Sequence, residues 1–173
     1  ITFVDADGKV IYDMSIDEDL VAGTYNADNW TLNQSVWYFG YYSAIDQATY
    51  TVEEVYTEPY APKRVMSYTA GGTQIEGKMI ITGSGKTVGD GKEVTVKGYY
   101  KVDNYTVANP NQNPKVQIGS INVTEDCDWT PFELAYTTGD SNWLKFGFWY
   151  TQGTLSIADI TFVDADGKVI YDM

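Results

Sequence analysis

Residues Trp143 to Phe162 read WLKFGFWYTQGTLSIADITF, and this run decides the fold. Leu144, Phe146, Phe148 and Tyr150 fall on one face of an extended chain, Gln152-Gly153 interrupts it, and Leu155 and Ile157 resume the alternation. A period of two with a glycine-bearing break predicts two strands around a turn. Ala158-Asp159 then breaks the phase, and Ile160 and Phe162 continue it one residue out of step, which predicts a bulge. The other face of the first strand carries Trp143, Lys145, Gly147 and Trp149. Two indoles on the outer face of one strand call for something flat to lie against them.

Working outward, the 173 residues with 43% hydrophobic content suffice for one well-buried domain and not for two. Aromatic residues make up 15% of the chain, with 15 Tyr and 5 Trp, and runs of Leu, Ala, Glu and Lys at helical spacing are missing. That is an all-β composition. A net charge of −13 with no His provides no electrostatic footprint for nucleic acid or an anionic membrane, and favours a neutral partner. Cys127 is the one cysteine, so no disulfide framework exists, and no run approaches the roughly 20 apolar residues of a membrane span. No charged-then-apolar leader opens the chain, so an export signal is expected to lie outside it.

Residues 1–14, ITFVDADGKVIYDM, recur unchanged as residues 160–173. Each copy reads as a β-hairpin turning at Asp-Ala-Asp-Gly, with Gly8 and Gly167 where a left-handed residue closes the turn. The tetrapeptide also resembles the opening of a calcium loop, but Lys, Val and Ile fill the later ligand positions, so the plain turn is preferred and no metal is assigned there. The copies lie 159 residues apart, about one domain length. Either residues 1–14 are the tail of a preceding module in a tandem array, or the duplication was introduced by design. The expected organisation is a duplicated segment over 1–14 and a single sandwich over 15–173. One sandwich has one slot for the closing hairpin, so the C-terminal copy is expected to fill it. The N-terminal copy is then left outside the core or pairs with another chain by strand exchange.

Between the copies, strands are expected at about Ser35–Tyr42, Gln47–Tyr56, Lys63–Thr69, Thr73–Thr82, Lys92–Val102, Lys115–Val123 and Pro131–Thr137, separated by Gly-, Asn- and Pro-rich turns. Asp17–Leu20 suits a single helical turn. About ten short strands predict a two-sheet antiparallel β-sandwich of jelly-roll type.

Three motifs occur in order: GKEVTVKGYYKVDN over Gly91 to Asn104, then Asp128-Trp129-Thr130-Pro131-Phe132, then GTLSIADI from Gly153. Their order resembles the carbohydrate-binding modules of families four and twenty-two, over roughly residues 25–165. The resemblance implies a β-jelly roll that binds xylan, or β-1,3 and β-1,4 glucan, in a groove on one sheet. It also implies a tethered xylanase or glucanase, an extracellular or cell-surface bacterial setting, and a structural calcium ion away from the groove. Asp159 is the side-chain ligand it suggests. The family's Asp-Asp pair is Ala158-Asp159 here, and the usual N-terminal Asn-Gly partner is not evident in Asp17–Gly23.

The residues point to a stacking surface without that analogy, because a sandwich turns one face of each sheet to solvent and pyranose rings stack on outward aromatics. Trp149 is the leading candidate. On Lys92–Val102 the alternation turns Lys97, Tyr99 and Lys101 outward, whereas Ser35–Tyr42 offers either Trp37, Phe39 and Tyr41 or Val36, Tyr38, Gly40 and Tyr42. Trp37 and Tyr41 join the set in the first phase and become core in the second. Gln117 and Glu133 are polar groups able to bond sugar hydroxyls. Trp30 and Trp129 read as structural, and Arg64, the single arginine, reads as a surface ion pair.

Catalysis finds little support. Adjacent carboxylates such as Glu53-Glu54 point to opposite faces of a strand and cannot flank one glycosidic bond, and no His or Ser-centred elbow is present. A non-catalytic module binding neutral plant polysaccharide is the expected function, xylan first and β-glucan second. A jelly-roll glycoside hydrolase and an adhesive sandwich are the other classes.

Overall fold

The computed structural model describes residues 2–4, 6, 10–13, 23–25, 37–39, 48–52, 64–70, 78–82, 90–139 and 144–172, and side chains of 6, 64–70, 90–139 and 144–172. The strands are β1 (Thr2–Val4), β2 (Val10–Asp13), β3 (Gly23–Tyr25), β4 (Trp37–Phe39), β5 (Ala48–Val52), β6 (Arg64–Ala70) and β7 (Lys78–Thr82). They continue with β8 (Glu93–Val107), β9 (Lys115–Ile118), β10 (Ile121–Val123), β11 (Cys127–Thr137), β12 (Leu144–Trp149), β13 (Thr151–Asp164) and β14 (Val169–Asp172). A single 3-10 turn at Pro110–Gln112 is the one helical element among the described residues.

Two antiparallel sheets form the sandwich. One has five strands in the order β10-β9-β12-β7-β4. The other has seven, in the order β11-β8-β13-β6-β5-β3, with β14 paired to β13. From β3 onward the chain changes sheet at every step except β5 to β6, β9 to β10 and β13 to β14.

Alternation builds the core. On β8, Val94, Val96, Gly98, Tyr100 and Val102 are buried while Lys97 stands exposed, the phase the sequence predicts. From the five-stranded sheet, Phe146, Phe148, Val116 and Ile118 are fully buried and meet this layer. Phe132 lies 6.0 Å from Phe146 ring to ring, and Tyr68 packs edge-on to Phe148 at 5.7 Å. The Tyr68 hydroxyl crosses the core to donate to the Phe146 carbonyl at 2.9 Å, which satisfies a buried polar group and ties the sheets together.

The deciding run folds differently from its expected hairpin. The break comes at Tyr150, with φ +52°, and β12 and β13 lie in different sheets. The Tyr150 carbonyl accepts the N–H groups of Ala108 at 3.0 Å and Asn109 at 3.2 Å, which hold this one-residue corner. Gly153, φ +145°, instead marks a register slip of β13 against β8, where a side chain would meet the Asp103 carbonyl at 2.9 Å. Backbone hydrogen bonding outweighed the glycine as the chain's turning signal.

The second break matches its expectation. The register of β13 against β8 shifts between Ala158 and Thr161, and Asp159 takes φ +50°, a left-handed conformation that Asp tolerates better than most residues. Gly98 makes room for this bulge, since a Cβ there would stand 2.4 Å from Ile160 Cδ1 and 2.8 Å from the Ala158 carbonyl. Other expected bounds move. β8 runs through Asn104 to Val107, and Lys115–Val123 divides at Gly119-Ser120 into β9 and β10. Asp17–Leu20, Trp30, Tyr41 and Trp143 lie outside the described residues.

The C-terminal copy of the repeat is built into the seven-stranded sheet, with Phe162 opposite Val96 on β8 and Tyr171 opposite Phe162 on β14. The N-terminal copy forms the separate pair β1–β2, joined to no other described strand.

Candidate functional site

The sandwich separates the expected ligand residues onto two opposite faces. Trp149 and Gln117 belong to the five-stranded sheet, and Tyr99, Lys97 and Glu133 to the seven-stranded one. Roughly the thickness of a core, about 10 Å of packed side chains, lies between the sheets. One groove cannot hold both sets.

On the five-stranded sheet, the core residues Phe146 and Phe148 alternate with Lys145, Gly147 and Trp149, and Val116 and Ile118 alternate with Lys115 and Gln117. The register then puts Trp149 opposite Lys115 and Gly147 opposite Gln117. Gly147 adds no side chain between the indole and Lys145 and is itself buried. Trp149 is half-buried, and the ring of Tyr150 meets its indole edge-on at 5.1 Å and 89°. That contact braces the indole, and bracing lowers the entropy lost on binding. Thr151 donates its hydroxyl to the Lys115 carbonyl at 3.1 Å and fixes the neighbouring strand end. Beyond Gln117 and Lys145 a cleft of about 640 Å³ opens between the sheets, bordered also by Ser120, Leu144, Glu93 and Tyr136. Gln117 thus borders both the outer face and the cleft.

β4 pairs with β7, and its side chains lie outside the described residues. Trp37 pairs with Thr82, which pairs with Leu144, so Trp37 falls in a row that on β12 belongs to the core. Tyr38 pairs with Ile81, which pairs with Lys145, the row of the outer face.

The opposite face is organised differently. Tyr99 is half-buried between Pro131 on β11 and Ala158 on β13. Lys97 and Glu133 are cross-strand neighbours and pair with each other at 3.2 Å, both well exposed. That ion pair engages the polar groups that the sequence offers to sugar hydroxyls. Further along, Ser67 and Ser156 share a hydrogen bond at 2.6 Å, and Thr69 and Thr154 one at 2.9 Å, forming a hydroxyl ladder between β6 and β13. Sequence reading missed this ladder, although the polar alternation of both strands carries it. It also missed Lys115, which shares the phase of Gln117.

Asp159 has a structural task. Its Oδ1 accepts the Arg64 N–H at 2.9 Å, and the Arg64 guanidinium lies 3.0 Å from Asp172. Among the described residues no group of three or more His, Cys, Asp or Glu gathers.

Two tyrosines are shifted. Burial raises the Tyr100 hydroxyl above its ordinary value, helped by Cys127 and opposed by a hydrogen bond with Thr130, and burial alone raises Tyr105. Neither lies on the outer face of the five-stranded sheet, and both read as structural.

A scan against protein-family models finds no match for this chain, and a search of curated proteins finds none.

Proposed function

We propose that the protein is a non-catalytic carbohydrate-binding module that holds a neutral β-1,4-linked plant polysaccharide, xylan first and β-glucan second, on the outer face of the five-stranded sheet. The observation that carries this reading is the juxtaposition on β12 and β9 of a braced, half-buried Trp149 with Gln117 across the side-chain-free Gly147. An indole supplies the apolar face a pyranose ring stacks on, and an amide supplies both a donor and an acceptor for its hydroxyls. Lys115 and Lys145 add donors at either end. Repeated changes of sheet along the chain favour the jelly-roll reading, in which such a groove is open along its length.

The mechanism is concentration rather than chemistry. A module that keeps polysaccharide near a tethered glycoside hydrolase raises the effective substrate concentration, which requires only modest affinity. The setting that follows is extracellular or at the bacterial cell surface. No step in this reading passes through a metal ion.

Affinity electrophoresis in gels containing soluble xylan or β-glucan, run beside a reducing-sugar assay on the same polymers, tests it. Retardation without sugar release supports the module. Sugar release would make the protein a glycoside hydrolase, and neither effect would leave an adhesive sandwich.

A further inference from the structure

The two copies of the fourteen-residue repeat fold alike. Thr2, Phe3 and Val4 stand opposite Asp13, Tyr12 and Val10, and Thr161, Phe162 and Val163 stand opposite Asp172, Tyr171 and Val169. The register slips at the same step in both. Only the second copy is seated. Phe162 and Val163 lie beside Val96 and Thr95 on β8, and Phe162 and Tyr171 are 0% and 2% exposed. The Phe162 ring meets Tyr171 at 5.0 Å and Tyr136 at 5.9 Å, and Asp172 takes the Arg64 guanidinium.

Side chains define this slot, and those of the first copy are identical, so the slot distinguishes the copies only through their connections. The second copy continues without a break from β13. The first must be joined to β3. Running antiparallel to β13, β14 ends beside Arg64, the first residue of β6. β3 starts at Gly23, opposite Tyr50, which stands opposite Met66, and it runs in the same direction as β6. At ~4.8 Å between strands and ~3.4 Å per residue, Gly23 lies roughly 12 Å from Arg64. Residues 14–22, nine in number, separate Asp13 from Gly23. Nine residues span up to about 30 Å. A first copy laid in the slot would therefore run in the required direction and reach β3 without reversing.

We propose that the slot formed by β8 and Arg64 is an interaction surface with two mutually exclusive occupants, and that residues 1–14 of the same chain can replace residues 160–173 in it. The sandwich can then be closed from either end of the chain. The second copy holds the slot in the structure because it continues directly from β13, whereas the first would have nine residues to close before reaching β3.

The test uses the full-length protein with Phe3→Asp, Phe162→Asp, and both. Phe3→Asp melts like the parent. Phe162→Asp melts cooperatively within about 5 °C of it, because the intact copy takes the slot, and the double variant falls by more than about 15 °C or loses its transition. Adding Asp13→Asn to the Phe162→Asp protein lowers its midpoint further, since Asp13 has become the partner of Arg64, while adding Asp172→Asn does not. Light scattering finds the Phe162→Asp protein monomeric. The proposal is overturned if Phe162→Asp alone is as damaged as the double variant, if Asp172 rather than Asp13 still governs its midpoint, or if that protein is a dimer.

Discussion

Arg64 is held by two carboxylates at once. Asp159 takes its backbone N–H at 2.9 Å and Asp172 its guanidinium at 3.0 Å. The two acids come from a bulge and from the closing hairpin, so Arg64 marks the point where β6 and β14 meet end to end along one edge of β13. Asp159 combines a left-handed backbone with an acceptor, which Asn reproduces and Ala does not. Asp159→Asn is expected to cost under about 1 kcal/mol, and Asp159→Ala about 1–3 kcal/mol, through an unpaired N–H and backbone strain. Urea denaturation measures both. Equal losses would show that neither the acceptor nor the backbone conformation matters. Repeating the melt with EDTA tests the expected calcium ion: a lowered midpoint would show that a bound ion stabilises the fold, and an unchanged one would argue against it.

Gly98 and the bulge are a matched pair. Gly98→Ala brings a Cβ into Ile160 and the Ala158 carbonyl, and overpacking of this kind costs about 1–3 kcal/mol. Ile160→Val removes the nearer obstacle and leaves the carbonyl. The double variant should therefore be more stable than the sum of the single losses predicts, while remaining below the parent. Strict additivity would show that the two sites do not communicate.

Binding should depend on one face only. Trp149→Ala is expected to lower affinity for xylohexaose by about 1–3 kcal/mol, a weakening of about five- to 150-fold, with the melting midpoint little changed. Tyr99→Ala, on the opposite face, should leave affinity as it was. Calorimetry decides between them, and a reversal of the two results would move the groove to the seven-stranded sheet. Raising the salt concentration should hardly matter for a neutral ligand.

Alkali should loosen the sandwich. Burial, first of all, holds the hydroxyls of Tyr100 and Tyr105 above the ordinary tyrosine value in the folded chain. Above about pH 10 the unfolded chain releases these protons while the folded chain keeps them, so stability falls as pH rises toward the folded values. Below that window their contribution is complete. Tyr100→Phe should flatten the decline measured by denaturation between about pH 9 and 11. An unchanged slope would assign the decline to other groups.

The deciding run shows how far a linear pattern reaches. Alternation assigned Phe146, Phe148, Leu155, Ile157, Ile160 and Phe162 to the core because the two-residue period of a strand is a local property of the backbone. The bulge at Asp159 was legible for the same reason, as a slip in that period. Trp149, Lys145 and Gln117 were legible as outward residues. What the period does not encode is which sheet a strand joins. Only the corner at Tyr150, held by N–H groups of Ala108 and Asn109 from a distant loop, sent β12 and β13 into different sheets. Tertiary pairing likewise divided Trp149 from Tyr99 and joined Lys97 to Glu133. The repeat is the sharpest case. Sequence alone made residues 1–14 and 160–173 the same hairpin, because its turn and pairing are local, but only the tertiary structure seats the second beside β8. Side-chain direction is written every second residue, whereas partnership is a long-range choice that the whole chain makes together.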